Sequence, residues 1–306
     1  MPKPENINTQ SNIYPDAFEV KLGFDAIRAM VAGRCATECA REMLAKATFR
    51  TEFEAVRELL EQTAEMQEVC AFEAAFPQSG FVDVLHFLGK AAIDNAYLDE
   101  AELTTLAQMA DTAVSIAAFF TRSADPLAPD SAVARKSDRY PRLANMAQAL
   151  QTPAPVSKGI ANIIDKHGRV KDSASPELAL LRRQMVEVQQ QVGRRVQAIL
   201  RKAQADGYVD EGAEASLRDG RAVIPVSASC KRKVAGMVLD ESATGKTSFI
   251  EPAEVVELNN RLRELGFAEK REVVKILIAF TVSIRPFLPQ LAQAAELVAS
   301  IDFIRA

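Results

Sequence analysis

The stretch SASPELALLRRQMVEVQQQVGRRVQAILRKAQADG (173–207) decides how this chain reads. Ser175 followed by Pro176 is a helix start, a capping hydroxyl and then a proline in the first turn, where its missing N–H is no loss. Leu178, Leu181, Met185, Val188, Val192, Val196 and Ile199 then recur at steps of three and four, an apolar seam of the coiled-coil kind along one side of a helix. Asp206 and Gly207 supply the stop, since glycine takes the left-handed C-cap conformation without penalty. Such a helix is about 45 Å long at 1.5 Å per residue. That is more arm than a small core needs to fill itself.

Downstream the period changes. Segments 222–226, 234–239 and 247–250 read as short strands, separated by Asp219-Gly220, a favoured hairpin dipeptide, by the charged turn Lys231-Arg232-Lys233 and by a tight turn at Gly245-Lys246. Pro225 cannot donate to a ladder, so its strand needs an edge or a bulge there. From Pro252 a second helical stripe runs through Val255, Leu258, Leu262 and Leu265 and on through Val273, Ile276 and Phe280 to Pro286. Upstream, the first third is a set of amphipathic helices forming a core from about Phe18 to Phe120. Thr51-x-x-Glu54 reads as a capping box, and Asp99 with Glu102 opens another helix. A Pro- and Ser-rich stretch (124–141) reads as an exposed connection and Lys166-His167-Gly168 as a turn. The predicted fold is mainly α: a helical core bundle with a long antiparallel helix pair, or lever, that carries a small antiparallel β clamp at its tip. The divisions are 1–172 for the core, 173–207 for the outgoing helix, 208–251 for the β unit and 252–306 for the return.

Composition agrees with a helical globular protein. Hydrophobic residues are 48%, charged 25%, aromatic only 6%, and tryptophan is absent. The amino terminus lacks the basic-then-apolar pattern of a signal peptide, and the best apolar run noted, KILIAFTVSI, is too short and too polar to cross a bilayer, so a cytoplasmic location with no membrane partner is the expectation. Cys35 and Cys39 lie one helical turn apart, yet no His or second cysteine pair is near them in sequence; with Cys70, Cys230, His86 and His167 scattered, no metal site is expected. Net charge is −4, but residues 176–250 carry 12 Lys/Arg against 9 Asp/Glu. A polyanion would prefer the middle of the chain.

The residues that could carry chemistry are few. Gly245-Lys246-Thr247 resembles the tail of a P-loop, but Asp240 stands where the loop's first glycine belongs, and a strand pattern follows where a helix should start. It reads as a hairpin turn. Two distant histidines and no nucleophile elbow leave hydrolase triads without support, so no catalytic residue is expected. Lys231, Arg232 and Lys233, with Lys246 and Arg221, form the candidate nucleic-acid-binding group; such charges either keep a hairpin edge soluble or touch phosphate without reading sequence. Gly193 and Gly266 weaken their helices. Counted from the tip they fall at the same height, which suggests a paired hinge or a close approach of the two backbones, or else coincidence.

Several segments resemble one family, the bacterial MutS paralogues of the second type: DSASPEL (172–178), RDGRAVIPV (218–226), DESATGKTSFIEP (240–252), VVELNN (255–260), Asp302-Phe303-Ile304, and Gly23-Phe24-Asp25 with the helices after it. The resemblance covers essentially the entire chain. It implies core, lever and clamp domains, with an ATPase domain following and a nuclease-like Smr domain at the end of the protein, so that this chain is an amino-terminal portion. ATP and Mg²⁺ are then expected only in that absent ATPase, and none in this chain. Dimerisation mostly through the ATPase is also implied, as is a clamp that contacts branched or mismatched DNA in suppressing homologous recombination. The same resemblance allows a ribosome-binding arm, touching rRNA or protein, in a factor that splits collided ribosomes. A purely structural helical scaffold is a third class of function.

Overall fold

A computed structural model describes residues 18–121 and 135–306. The amino-terminal stretch and most of the Pro- and Ser-rich connection therefore lie outside the described residues. The fold is mainly α with one small antiparallel sheet. The chain divides into two compact units, one formed by the part up to Arg169 together with Phe280–Ala306, the other by Val170–Ala279.

The first unit is helical. Its elements are α1 (Phe18–Lys21), α2 (Phe24–Arg34), α3 (Glu38–Lys46), α4 (Phe53–Phe72), α5 (Leu85–Ala91), α6 (Glu100–Thr121), α7 (Lys136–Arg139), α8 (Pro141–Gln148) and α9 (Ala154–Ile163), with the chain's last helix, Leu288–Arg305, returning to pack among them. Helix α6 is the centre: Leu103, Leu106, Met109, Ala113 and Ile116 have no exposed surface. The rings of Phe119 and Phe76 meet edge to face at 5.2 Å, a geometry the ring quadrupoles favour. Helix α6 also corrects the reading of apolar runs, because at 22 residues it has the length and hydropathy of a membrane span; half of its most apolar window is buried within the protein. Asp99 and Glu102 exchange reciprocal hydrogen bonds of 2.8 Å with each other's backbone N–H at its start, as their spacing predicts. The box at Thr51 does not form. Helix α4 begins one residue later than that motif needs, so Glu52 is the N-cap, no side chain caps it, and Glu54 stands at the second helical position rather than the third.

One buried carboxylate ties the ends of this unit together. Asp302 is wholly inaccessible, and its Oδ2 accepts from the backbone N–H groups of Ala36 and Thr37, both at 2.8 Å, and from the Thr37 hydroxyl at 3.0 Å. These are donors left free at the start of α3. Cys35 is buried beside this carboxylate and Cys39 is half-buried. Burial pushes both thiols above their ordinary range, with Asp302 adding to the effect on Cys35 and Asp83 to that on Cys39. Among the described residues no cluster of three or more His, Cys, Asp or Glu has the arrangement of a metal site.

The second unit is the helix pair and its sheet. Helix α10 runs unbroken over Pro176–Ala205, capped by the Ser175 hydroxyl, which accepts from the Leu178 N–H. It closes at Gly207 with φ 71°, where the Tyr208 N–H reaches back to the Ala203 carbonyl at 2.8 Å. The buried stripe is Leu178, Leu181, Val192, Val196, Leu200 and Ala203; Met185, Val188 and Ile199 are only half-buried. Helix α11 (Ala253–Ile284) runs antiparallel to it. Arg182 binds Glu269 through two nitrogens at 2.8 and 3.0 Å, and reaches Asp172 and the Val170 carbonyl with a third. The Ser175 hydroxyl donates to Glu272 at 2.8 Å, and Arg195 stands 3.7 Å from Glu254.

Those cross-links correct the expectation about the glycines. They place residue 182 opposite 269 and residue 195 opposite 254, so Gly193 is level with about residue 257 and Gly266 with about residue 184, an offset of about 14 Å along the axis at 1.5 Å per residue. Counting back from the tip failed because the two helices meet the sheet at different depths. The glycines do not form one joint. A Cβ built on either would find nothing within 4 Å, so close backbone approach does not require them either. Gly193→Ala and Gly266→Ala should each therefore stabilise the unit by about 0.5–1 kcal/mol, read as a higher urea midpoint with an unchanged m-value. The Ser175 hydroxyl, aided by Lys275, holds the Glu272 carboxyl below the usual glutamate range. A lowered value means stability that is complete at neutral pH and is lost as the pH falls through it. Glu272→Gln should lose less stability than the parent over that acid limb in urea melts taken at stepwise lower pH.

Candidate nucleic-acid interface

The sheet at the end of the helix pair has strands β1 (Ser216–Arg218), β2 (Arg221–Ser227), β3 (Gly236–Glu241) and β4 (Thr247–Pro252) in the order β1-β2-β4-β3, with antiparallel neighbours throughout. Asp219 and Gly220 make the two-residue β1–β2 turn with φ of 50° and 75°, the positive pair that Asp-Gly hairpins adopt. The short strand β1 pairs only as far as Val223. Pro225 thus sits where β2 has β4 on one side and no strand on the other, which meets the constraint set by its missing N–H. Ile224, Val226 and Ile250 form the inner face, packing with Val192, Val196, Leu200 and Ala203 of α10 and with Val255 of α11.

Gly245, with φ 68°, turns β3 into β4. The Gly245 N–H donates to the Ser242 carbonyl and the Ser242 N–H to the Thr247 carbonyl, both at 2.8 Å. Thr247 begins a strand, so no helix N-terminus follows the lysine and the Gly-Lys-Thr sequence is a hairpin, as read. The segment between β2 and β3 opens with a single 3-10 turn, Ala228–Cys230, and then the basic turn 231–233. The Ala228 N–H donates to the Lys246 carbonyl at 2.9 Å, and Cys230 and Val234 press against the inner-face cluster. Gly236 is required at the entry to β3, because a Cβ there would lie 2.2 Å from the Glu251 carbonyl oxygen.

The five candidate cations do not form one group. Lys246 and the turn 231–233 share one end of the sheet. There Lys231 faces Glu241 at 3.4 Å and Lys233 lies 5.2 Å over the Tyr208 ring, while Arg232 and Lys246 are exposed and make no ion pair among the described residues. Arg221 belongs to the other end and is turned inward. Its Nη1 donates to both oxygens of Glu251, at 2.8 and 2.9 Å, and its Nη2 to Asn260 at 2.8 Å. Glu251 has no exposed surface and accepts a third bond, from the Asn259 amide, at 2.8 Å. Asn259 also faces the backbone of Ala222. A side chain committed in this way holds the tip together rather than reaching for phosphate. Arg218 went unremarked in the sequence: its guanidinium lies 3.9 Å over the Phe249 ring and binds Asp240 at 3.0 Å. A basic residue two strands away from an aromatic in the sheet order was the available signal.

Segments 218–226, 240–252 and 255–260 thus converge on one small polar network, and those are segments that carry the family resemblance. Comparison with known proteins gives the same direction. Proteins named Endonuclease MutS2 match 92–94% of the chain: that of Thermomicrobium roseum at 34% identity, that of Pelotomaculum thermopropionicum at 30% and that of Symbiobacterium thermophilum at 31%. The chain is similar to MutS2. It spans about a third (34%) of the length of these MutS2 relatives. No family model matches it.

Removing Arg221 leaves the Glu251 carboxylate buried with one donor. Arg221→Ala should therefore destabilise the tip by about 3–5 kcal/mol, the range for breaking a buried ion pair. The measurement is urea unfolding together with amide exchange across β2 and β4, where protection should fall.

Proposed function

We propose that this chain is the core, lever and clamp region of a MutS-like protein, and that the clamp grips the backbone of branched or mismatched DNA. In this reading residues 1–172 are the core, 173–207 and 252–306 the two limbs of the lever with the adjoining core helix, and 208–251 the clamp. An ATPase carried elsewhere in a homodimeric, cytoplasmic parent would drive the grip, and ATP and Mg²⁺ would belong to that domain; this chain would hold no catalytic group or cofactor of its own. The biological role is suppression of homologous recombination. The observation that carries the reading is the end of the sheet where the turn 231–233 meets Lys246. Arg232 and Lys246 stand exposed there without anionic partners among the described residues, and Lys231 and Lys233 need only release a surface carboxylate and a ring face. Exposed pairs of that kind are worth little, so a phosphate can displace them. Arg221 has the different task of keeping the strands that bear these residues in register. The name of the MutS2 relatives adds a nucleic-acid context through the word endonuclease.

Binding of the 306-residue chain to a four-way junction and to a plain duplex, followed by anisotropy over a salt series, tests the proposal. Affinity should fall steeply with salt, because each neutralised phosphate releases bound counterions. Lys231→Gln, Arg232→Gln, Lys233→Gln and Lys246→Gln together should flatten the log–log slope by about 2–4, at about 0.9 per lost contact. Co-sedimentation with ribosomes in the absence of any DNA binding would overturn the DNA reading in favour of a ribosome-binding arm. Failure to bind either would leave a structural scaffold.

A further inference from the structure

The positive charge of the second unit is concentrated in a place the clamp reading does not use. Helix α10 carries six basic residues (Arg182, Arg183, Arg194, Arg195, Arg201 and Lys202) and two acidic ones (Glu177 and Glu187), a net +4 in a chain whose total is −4. Its antiparallel partner α11 has five of each sign and is neutral. Two of the six cations have anionic partners: Arg182 in its bonds to Asp172 and Glu269, and Arg195 beside Glu254. Arg183, Arg194, Arg201 and Lys202 are exposed and make no ion pair among the described residues.

These residues are not scattered round the helix. At 100° per residue, positions 183, 194 and 201 return to within about 20° of one azimuth, on the side away from the buried Val192 and Val196. Gln190 and Gln197, both exposed, fall beside the same line. The row Arg183–Gln190–Arg194–Gln197–Arg201 is about 27 Å long at 1.5 Å per residue. The acid nearest to it on the helix is Glu187, one turn beyond Arg183 and about 40° from its azimuth, and Arg194 also lines a groove of about 860 Å³ whose α11 side carries Glu254, Glu257 and Glu264 with Arg261. A helix with five exposed long polar side chains in file, each able to donate hydrogen bonds, matches a repeating line of phosphates. Its length covers about eight steps of a duplex at 3.4 Å per step. Helix α10 contains no aromatic residue, so it offers no platform on which unpaired bases could stack.

We infer that the outgoing helix is itself a nucleic-acid-binding surface, on which Arg183, Arg194 and Arg201 track the backbone of a double-stranded segment without reading its sequence. The inference rests on the proposed nucleic-acid function but places part of the contact on the arm, outside the clamp. Lys202, about 100° round from the row, lies beside it rather than in it.

The test uses the 306-residue chain and three labelled probes, a DNA duplex, an RNA duplex and a single strand of the same length, each titrated over a salt series. The variant is Arg183→Gln, Arg194→Gln and Arg201→Gln combined, a set of exposed substitutions that keep helix propensity and should leave the thermal midpoint near that of the parent. It should bind duplex at least tenfold more weakly at low salt, with a log–log slope shallower by about 2–3 at about 0.9 per contact, while the matching Arg→Lys triple keeps the parent slope. The duplex that loses more, DNA or RNA, identifies the partner. The clamp variant described above is measured alongside. An arm variant that binds as the parent does, next to a clamp variant that has lost affinity, would sink this inference and leave the clamp reading intact. A parent chain that binds none of the probes would remove both. An equal proportional loss on the single strand would replace the duplex-tracking surface with a diffuse charge effect.

Discussion

The tip is organised around a carboxylate that water does not reach. An ionised side chain in that position survives only with several well-aimed donors, since its lost hydration is worth many times an ordinary hydrogen bond. Glu251 takes two from Arg221 and one from Asn259. Because these residues open β2, close β4 and lie in the second turn of α11, satisfying one charge determines where a strand, its neighbour and a helix must meet. The side-chain alternation of a strand does the rest. With Arg221 and Glu251 on one face, Ile224, Val226 and Ile250 fall on the other and present a continuous apolar surface to α10. A slip of one residue in the β2–β4 register would separate the ion pair and expose the core together.

That coupling explains what was legible in the sequence and what was not. The helix 176–205 could be read from both caps and its seam, because those are local rules and nothing in the tertiary structure opposes them. The Asp219-Gly220 and Gly245 turns were legible for the same reason, each needing a backbone conformation few residues accept. The role of Arg221 was not. In sequence it is one more cation near a hairpin, and only pairing β2 with β4 brings Glu251, thirty residues away, under its guanidinium. The level of the two glycines was misjudged for a related reason: the offset between helices depends on where each joins the sheet, a distance that no periodicity records. Thr51 failed as a cap by a single residue, the usual uncertainty of a helix boundary.

The distribution of partners among charged residues bears on function more than the net charge does. The chain is acidic as a whole, and many of its arginines, among them Arg182, Arg221 and Arg285, are engaged in holding elements together. Among the described residues, the second unit's exposed cations without an ion pair include Arg232 and Lys246 at one end of the sheet, Arg183, Arg194 and Arg201 along one side of α10, and Arg261, Lys270 and Arg271 on α11. In the proposed function, the arginines that hold elements together are not the ones that would meet a polyanion.

The order of the strands leaves β3 at an edge, with Met237 and Val238 exposed on it. An apolar edge strand invites another chain to add itself. Here the register shifts between Val238 and Asp240, so Leu239 has no partner opposite it and the strand kinks midway. Asp240 and Glu241 follow at once, and the glycine at its entry brings the backbone close against β4. An incoming strand would find only a few residues of straight ladder before meeting a bend and two carboxylates. The bulge thereby guards a small sheet at the end of its helix pair against fibrous self-association.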